Sequence, residues 1–209
     1  SREQLDSDSP EVVDDPGSCL SVAFEFVESA PEATETAELP AWEESPTIKE
    51  EEFTRAVALG LLDYLRKSKS HGFVVSLSGG ADSATVAVLV TMMVRLTCRE
   101  IGVAGLAEKL AYLPEAENLT DEQQWIRRLL ACVYQGTRNS SETTRSAAES
   151  VATALGAEFF AFDVDRLVEG YVDTVSTAIG RKLNWGDDDL ALQNIQARVR
   201  APGVWLLAN

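Results

Sequence analysis

The chain has one histidine, His71, and three widely spaced cysteines, Cys19, Cys98 and Cys132, in 209 residues. A lone histidine leaves little room for a Ser-His-Asp or Cys-His nucleophile. An odd cysteine count with no Cys-x-x-Cys pair argues against both a disulfide framework and a zinc site, so buried thiols are expected. Positive charge is also scarce, with 18 Lys and Arg against 34 Asp and Glu and a net charge of −16. No basic stripe is visible, which disfavours a nucleic-acid partner. The longest apolar run, Ala84 to Val94, is interrupted by Thr85 and Thr91 and is too short to span a bilayer. Ser1 opens no signal-peptide pattern, and a cytoplasmic location without a membrane partner is expected.

The acidity is concentrated at one end. Residues 1–46 hold 13 acidic side chains against Arg2 alone, together with five of the seven prolines. This composition predicts an extended acidic arm or linker, with a short strand over Val22 to Val27, followed by a globular domain over residues 47–209.

Within that domain, Phe53, Val57, Leu61, Tyr64 and Leu65 recur at helical spacing after a Thr47 cap and three glutamates. Phe73 to Leu77 reads as a buried strand, and Ala84 to Val94 as a helix that is apolar almost all round. A short helix is expected near Val103 to Leu110, and a polar, mobile loop from Pro114 to Gln124. Leu129 to Tyr134 and Glu158 to Phe162 are further strands, each followed by a helix, Thr143 to Leu155 and Asp165 to Ile179. Ser140 or Ser141 is expected to cap the first of these helices and Gly156 to stop it. Strands alternating with helices imply right-handed crossovers and a parallel sheet, an α/β fold that is doubly wound. In such sheets ligands bind beyond the carboxyl ends of the strands.

At the first of those ends stands Ser76-Leu77-Ser78-Gly79-Gly80-Ala81-Asp82-Ser83. Two glycines allow a tight turn and close approach of backbone N–H groups to an anion, and the following helix N-terminus faces the same anion. Ser78 and Ser83 add hydroxyls. Asp82 would repel a phosphate unless a divalent cation lay between them, which points to Mg²⁺ as its ligand. A Walker loop is excluded, because no lysine occurs between Lys69 and Lys109.

Ser78-Gly79-Gly80-Ala81-Asp82-Ser83 resembles the signature of the N-type ATP pyrophosphatases, which split ATP between the α- and β-phosphates. Two further segments narrow the resemblance. One is Gly136-Thr137-Arg138-Asn139-Ser140-Ser141-Glu142-Thr143, which would border the nucleotide site. The other is Leu192-Gln193-Asn194-Ile195-Gln196-Ala197-Arg198-Val199-Arg200, read as a helix on which Asn194 and Arg198, and separately Gln196 and Arg200, form i,i+4 pairs. Taken alone, such a helix is more often an ordinary solvated face. With the loop, the three segments resemble the synthetase domain of glutamine-dependent NAD⁺ synthetases, over about Ile48 to Asn209.

That resemblance implies an adenine-nucleotide α-hydrolase-like fold, incomplete at the C-terminus, and a ligase that adenylates deamido-NAD⁺ with ATP and amidates it with ammonia. It implies that Ser76 to Ser83 bind ATP with Asp82 on Mg²⁺, and that Asn194, Arg198 and Arg200 position deamido-NAD⁺, with no catalytic side chain beyond these binding residues. A homo-oligomer is expected. Residues 1–46 contain no counterpart of the family's glutaminase domain with its Glu, Lys and Cys triad, so ammonia would come as free ammonium or from a separate glutaminase. The chain stops at Asn209 where the family continues, so an incomplete site is expected. The alternatives are a GMP synthetase-like enzyme or a tRNA-modifying thiolase, both disfavoured by residues 190–200, and a truncated nucleotide-binding module without catalysis.

Overall fold

The computed structural model describes residue 23 and residues 40–209. The acidic arm, its expected strand and Cys19 lie outside the described residues, apart from residue 23 and positions 40–46, where the Trp42 ring lies 4.8 Å from the Arg55 guanidinium.

Residues 40–209 form one unit of alternating strands and helices. Helix α1 (Ile48–Ser68) leads to β1 (Phe73–Ser76), α2 (Ala81–Lys109), a 3₁₀ turn (Ala116–Asn118), α3 (Glu122–Leu129) and β2 (Leu130–Gly136). Then come α4 (Glu142–Leu155), β3 (Glu158–Asp163), α5 (Asp165–Ile179), α6 (Asp189–Arg198) and α7 (Arg200–Ala208). The strands pair in parallel in the order β1-β2-β3, with Phe73 opposite Leu130 and Cys132 opposite Phe159. This is the expected α/β class. Both crossovers step in the same direction, so right-handed connections set α2 and α4 on one face of the sheet, while α7 packs against β1 on the other.

The period of two along each strand divides the side chains cleanly. Phe73 and Val75, Leu130, Cys132 and Tyr134, and Phe159 belong to a core shared with α1, α2, α3 and α4. Val74 and Ser76, Val133 and Gln135, and Phe160 and Phe162 face the α7 side. Burial pushes the Cys132 thiol up to about 11, as suits an inert buried cysteine.

Several local expectations are corrected. On α1 the packed stripe is Ala58, Leu61, Leu62 and Leu65, while Phe53 and Tyr64 are exposed. This stripe also obeys i, i+3, i+4, i+7, and the larger side chains drew the reading to a neighbouring face. Thr47 occupies the N-cap position without a side-chain cap bond; its hydroxyl pairs with Ser45 Oγ at 3.0 Å, and Ser45 Oγ accepts from the Thr47 N–H at 3.2 Å. Helix α2 buries Ala87, Val90, Thr91, Met93 and Val94 but exposes Val86 and Val88, because it meets the core on one side only. It also extends to Lys109 across a break at Gly102, whose φ of 74° is left-handed. The expected mobile loop at 114–124 is ordered: Leu113 and Ala116 are buried, and the Asp121 carboxylate caps α3 by accepting from the Gln124 N–H at 2.8 Å. Among the described residues no helix is long and apolar enough to cross a membrane.

Candidate functional site

The carboxyl end of β1 becomes the loop through a sequence of fixed points. Leu77 is buried and its N–H donates to Val133 O at 2.8 Å, which extends the sheet by one residue. Gly79 then turns with φ 81° directly beneath α4. A Cβ there would lie 2.4 Å from the Thr144 carbonyl oxygen, so the position admits only glycine.

The two serines close the loop on itself. Ser83 Oγ accepts from the Ser78 N–H at 3.1 Å and donates to Gly80 O at 3.2 Å, and Ser78 Oγ accepts from the Gly80 N–H at 3.2 Å. The two hydroxyl oxygens are 3.1 Å apart. Their hydrogen bonds therefore hold the loop on itself. No side chain caps α2 at Gly80, so its first-turn amides keep the orphan donors of a helix start. The adjacent α4 differs, since Ser141 Oγ accepts from the Thr144 N–H at 3.2 Å. Three helices begin at this edge: Ser141 caps α4, Asp163 Oδ1 accepts from the Asp165 N–H of α5 at 2.9 Å, and α2 has no side-chain cap.

Two hollows lie at the carboxyl ends of the strands, one of them under the loop. One of about 150 Å³ is lined by Leu77, Gly79, Gly80, Ala81 and Ser83 with Ala148 and Val151 of α4. The other, about 390 Å³, lies over β2 and β3 and is lined by Thr137, Arg138, Ser140, Ser141, Glu142, Arg145, Ala161, Asp163 and others. The segment 136–142 is thus placed beside the loop's helix neighbour α4. It is pinned to α5: the Arg138 N–H and Nε donate to Asp165 at 3.0 and 3.1 Å, and its Nη2 donates to Glu169. Glu169 and then Asp165 raise the Arg138 guanidinium above its ordinary value, so this charge is already matched. Arg145, which the sequence reading did not single out, lines the same hollow with no salt bridge among the described residues. Its signal was its place one turn beyond the Ser141 cap.

A roomier groove of about 550 Å³ runs between α1 and α2, lined by Ala58, Leu59, Leu62, Leu96 and Ile101 with a few charged rims. It holds no loop residue. The two hollows at the strands' carboxyl ends are the better candidate, because ligand sites in such sheets form there.

The third segment is divided. The expected single helix over 190–200 is two helices, α6 and α7, separated at Val199. Pro202 explains the break: it has no N–H to offer the Arg198 carbonyl, and its ring crowds that oxygen. Asn194 and Arg198 do share a face, with Arg198 Nη1 donating to Asn194 Oδ1 at 2.7 Å, both exposed. The expected Gln196–Arg200 pair does not form. Arg200 instead reaches back to the sheet, its Nε donating to Gln135 O at 3.2 Å. Gln135 Nε2 in turn donates to Ser76 Oγ at 3.2 Å, which brings Arg200 and the start of the loop onto one residue. No hydrogen bond or salt bridge among the described residues ties Asn194 or Arg198 to residues 76–83.

The acidic run before α6 has a structural task. The Asp188 carboxylate accepts from Arg181 at 2.7 and 2.8 Å and from the Asn184 N–H at 3.0 Å, and it is held down at about 2, chiefly by Arg181. His71 is exposed and contributes its carbonyl to Arg128 Nη1 at 2.9 Å.

Among the described residues no group of three or more His, Cys, Asp or Glu is disposed to hold a metal ion. Asp82, exposed in the first turn of α2, offers a single carboxylate. That fits Mg²⁺, which is commonly held by one or two carboxylates, waters and substrate phosphates.

An NAD synthase family model matches residues 53–209. The curated glutamine-dependent NAD(+) synthetase of Oryza sativa subsp. indica is 34% identical over 171 residues, covering 77% of this chain and 23% of that protein. The human glutamine-dependent NAD(+) synthetase is 30% identical, over 76% of this chain and 24% of its own length. The chain thus spans about a quarter of the curated relatives it matches. Among solved structures, a glutamine-dependent NAD(+) synthetase from Cytophaga hutchinsonii superposes with a TM-score of 0.70 at 41% identity, over 77% of this chain and 29% of that one. A glutamine-dependent NAD+ synthetase from Acinetobacter baumannii in complex with ADP shares the fold, with a TM-score of 0.53 at 20% identity, over 88% of this chain and 25% of that one. These likenesses agree with the adenine-nucleotide α-hydrolase-like fold. Since the family match covers residues 53–209, from the second turn of α1 to Asn209, and takes in the loop, the 136–143 segment and both C-terminal helices, the chain belongs to the NAD synthase family.

Proposed function

We propose that this chain carries the ATP-binding part of a ligase that amidates deamido-NAD⁺ to NAD⁺. The observation that carries the proposal is the loop at Ser76–Ser83, closed by its own serines beneath α4 while the start of α2 stays uncapped. Fixed backbone donors in that arrangement suit the charge that gathers on a leaving pyrophosphate.

In the reaction, an oxygen of the nicotinate carboxylate attacks the α-phosphorus of ATP. The bond to the bridging oxygen breaks, and pyrophosphate leaves with the electron pair. Ammonia then adds to the acyl carbon of the adenylate, AMP leaves, and a proton is released, giving the amide. Residues Ser76, Leu77, Ser78, Gly79, Gly80, Ala81, Asp82 and Ser83 form the pyrophosphate cradle, in which Leu77 anchors the loop and the serines hold its shape. Mg²⁺, held on Asp82, would supply charge neutralisation for the phosphates. Asn194, Arg198 and Arg200 would position deamido-NAD⁺ through charge-assisted hydrogen bonds to its carboxylate and phosphates. The names of the relatives point to glutamine as the ammonia source, with free ammonium as the alternative.

The test is pyrophosphate release by the purified chain given ATP, Mg²⁺ and ammonium, with and without deamido-NAD⁺. Release that requires deamido-NAD⁺ would support the whole assignment, and Mg²⁺-dependent ATP binding without release would support the ATP-binding part alone. Release independent of deamido-NAD⁺, or driven equally by an unrelated carboxylate, would overturn the substrate assignment.

A further inference from the structure

Gln135 stands out because its amide is confined and only half used. The residue is 6% exposed at the carboxyl end of β2; Nε2 donates to Ser76 Oγ at 3.2 Å, and Oε1 has no partner. A buried carbonyl without a partner is unfavourable, and a leucine of similar volume in its place would remove that penalty. Stability does not account for an amide there.

Its neighbours supply an account. The Gln135 backbone carbonyl receives Arg200 Nε at 3.2 Å, from a residue 65 positions away. Helix α7 sits directly over the side chain: a Cβ added at Gly203 would lie 3.7 Å from Oε1 and 3.7 Å from the Phe162 ring. On its other side the amide grips Ser76, two residues before Ser78, whose hydroxyl and N–H organise the loop. A shift of Arg200 and α7 is therefore passed through Gln135 to the residue from which the loop departs.

We infer that Gln135 is a positioning residue that couples the ATP loop to Arg200 and α7, so that occupancy of one side changes affinity on the other. The inference rests on the ligand assignments proposed above, with ATP on the loop and deamido-NAD⁺ on the Arg200 side. Coupling of this kind is a ratio of affinities and is reciprocal, commonly about 5- to 150-fold.

The experiment is calorimetric titration of α,β-methylene-ATP with Mg²⁺ into the chain, alone and with saturating deamido-NAD⁺, in the parent, Gln135→Leu and Gln135→Met. The parent should bind the analogue at least about fivefold tighter with deamido-NAD⁺ present. In Gln135→Leu that ratio should fall to about one, while the affinity for each ligand alone stays within about threefold and the melting temperature does not drop. Gln135→Met removes the same bond with an unbranched side chain of similar length, so it carries the test if Gln135→Leu does not fold. An unchanged ratio in either single variant, or a parent ratio of one, overturns the inference and leaves the function proposal standing. A parent that binds neither nucleotide overturns the function proposal, and the inference with it.

Discussion

The two faces of β2 behave differently although both are buried. Leu130, Cys132 and Tyr134 enter an apolar cluster closed by α2, α3 and α4, and their only polar outlet is Tyr134 Oη, 3.0 Å from Thr144 Oγ1. Val133 and Gln135, one residue out of phase, lie under α7 in company with Ser76 and Arg200. The first face holds the fold through area removed from water. The second spends its burial on polar links between segments far apart in sequence. Burial by itself thus does not distinguish the two faces; what each buried atom bonds to does.

The sharpest way to test this division is to cut into the apolar face. Leu130→Ala removes a side chain that is 1% exposed and should cost about 2–5 kcal/mol in urea unfolding, whereas Gln135→Leu on the opposite face should cost nothing. Equal losses would erase the contrast. Next in size is Gly79→Ala at the rim between the faces. The left-handed φ and the contact with Thr144 O should lower stability by about 1–3 kcal/mol, and the displaced loop should weaken ATP binding about a hundredfold.

Arg198→Ala should leave the melting temperature unchanged, because the side chain is exposed and bonds only to Asn194. It should weaken deamido-NAD⁺ binding about tenfold or more while ATP affinity stays within about twofold, measured by separate titrations. Equal loss of both ligands would count against its assignment. The smallest effect is at the turn before α6. The Asp188 carboxylate is depressed to about 2, so its ion pair contributes above the ordinary carboxylate range and is lost only as pH falls through about 2. Carbon-detected NMR should show that low titration in the parent and its return to the ordinary range in Arg181→Gln.

Much of the strand and helix order was legible because each strand is a short apolar run punctuated by Gly, Ser or Asp, and each helix opens or closes on a recognisable residue. Ser141 and Gly156 serve as cap and stop for α4, and Gly180 ends α5 in the same left-handed geometry as Gly156. What escaped was contact over long sequence separation. The face of α1 could not be chosen because Phe53 and Tyr64 complete one stripe and Ala58 and Leu62 another, and only the presence of α2 decides between them. The 114–124 stretch looked polar, yet Leu113 and Ala116 tether it to the core. At the site, the loop and its glycines were readable from local pattern. The turning inward of the Ser78 and Ser83 hydroxyls, the break at Val199 that sends Arg200 to the sheet, and the meeting of Arg200 with Ser76 on Gln135 depend on tertiary structure.

The account turns on whether the loop at Ser78–Ser83 grips ATP phosphates with a cation on Asp82. Calorimetric titration of ATP into the parent chain and into Asp82→Ala, each with Mg²⁺ and with EDTA, tests it most directly. Mg²⁺-dependent binding by the parent is expected, with a variant that is folded but binds no tighter with Mg²⁺ than without it. Equal Mg²⁺-dependent binding by parent and variant would contradict it.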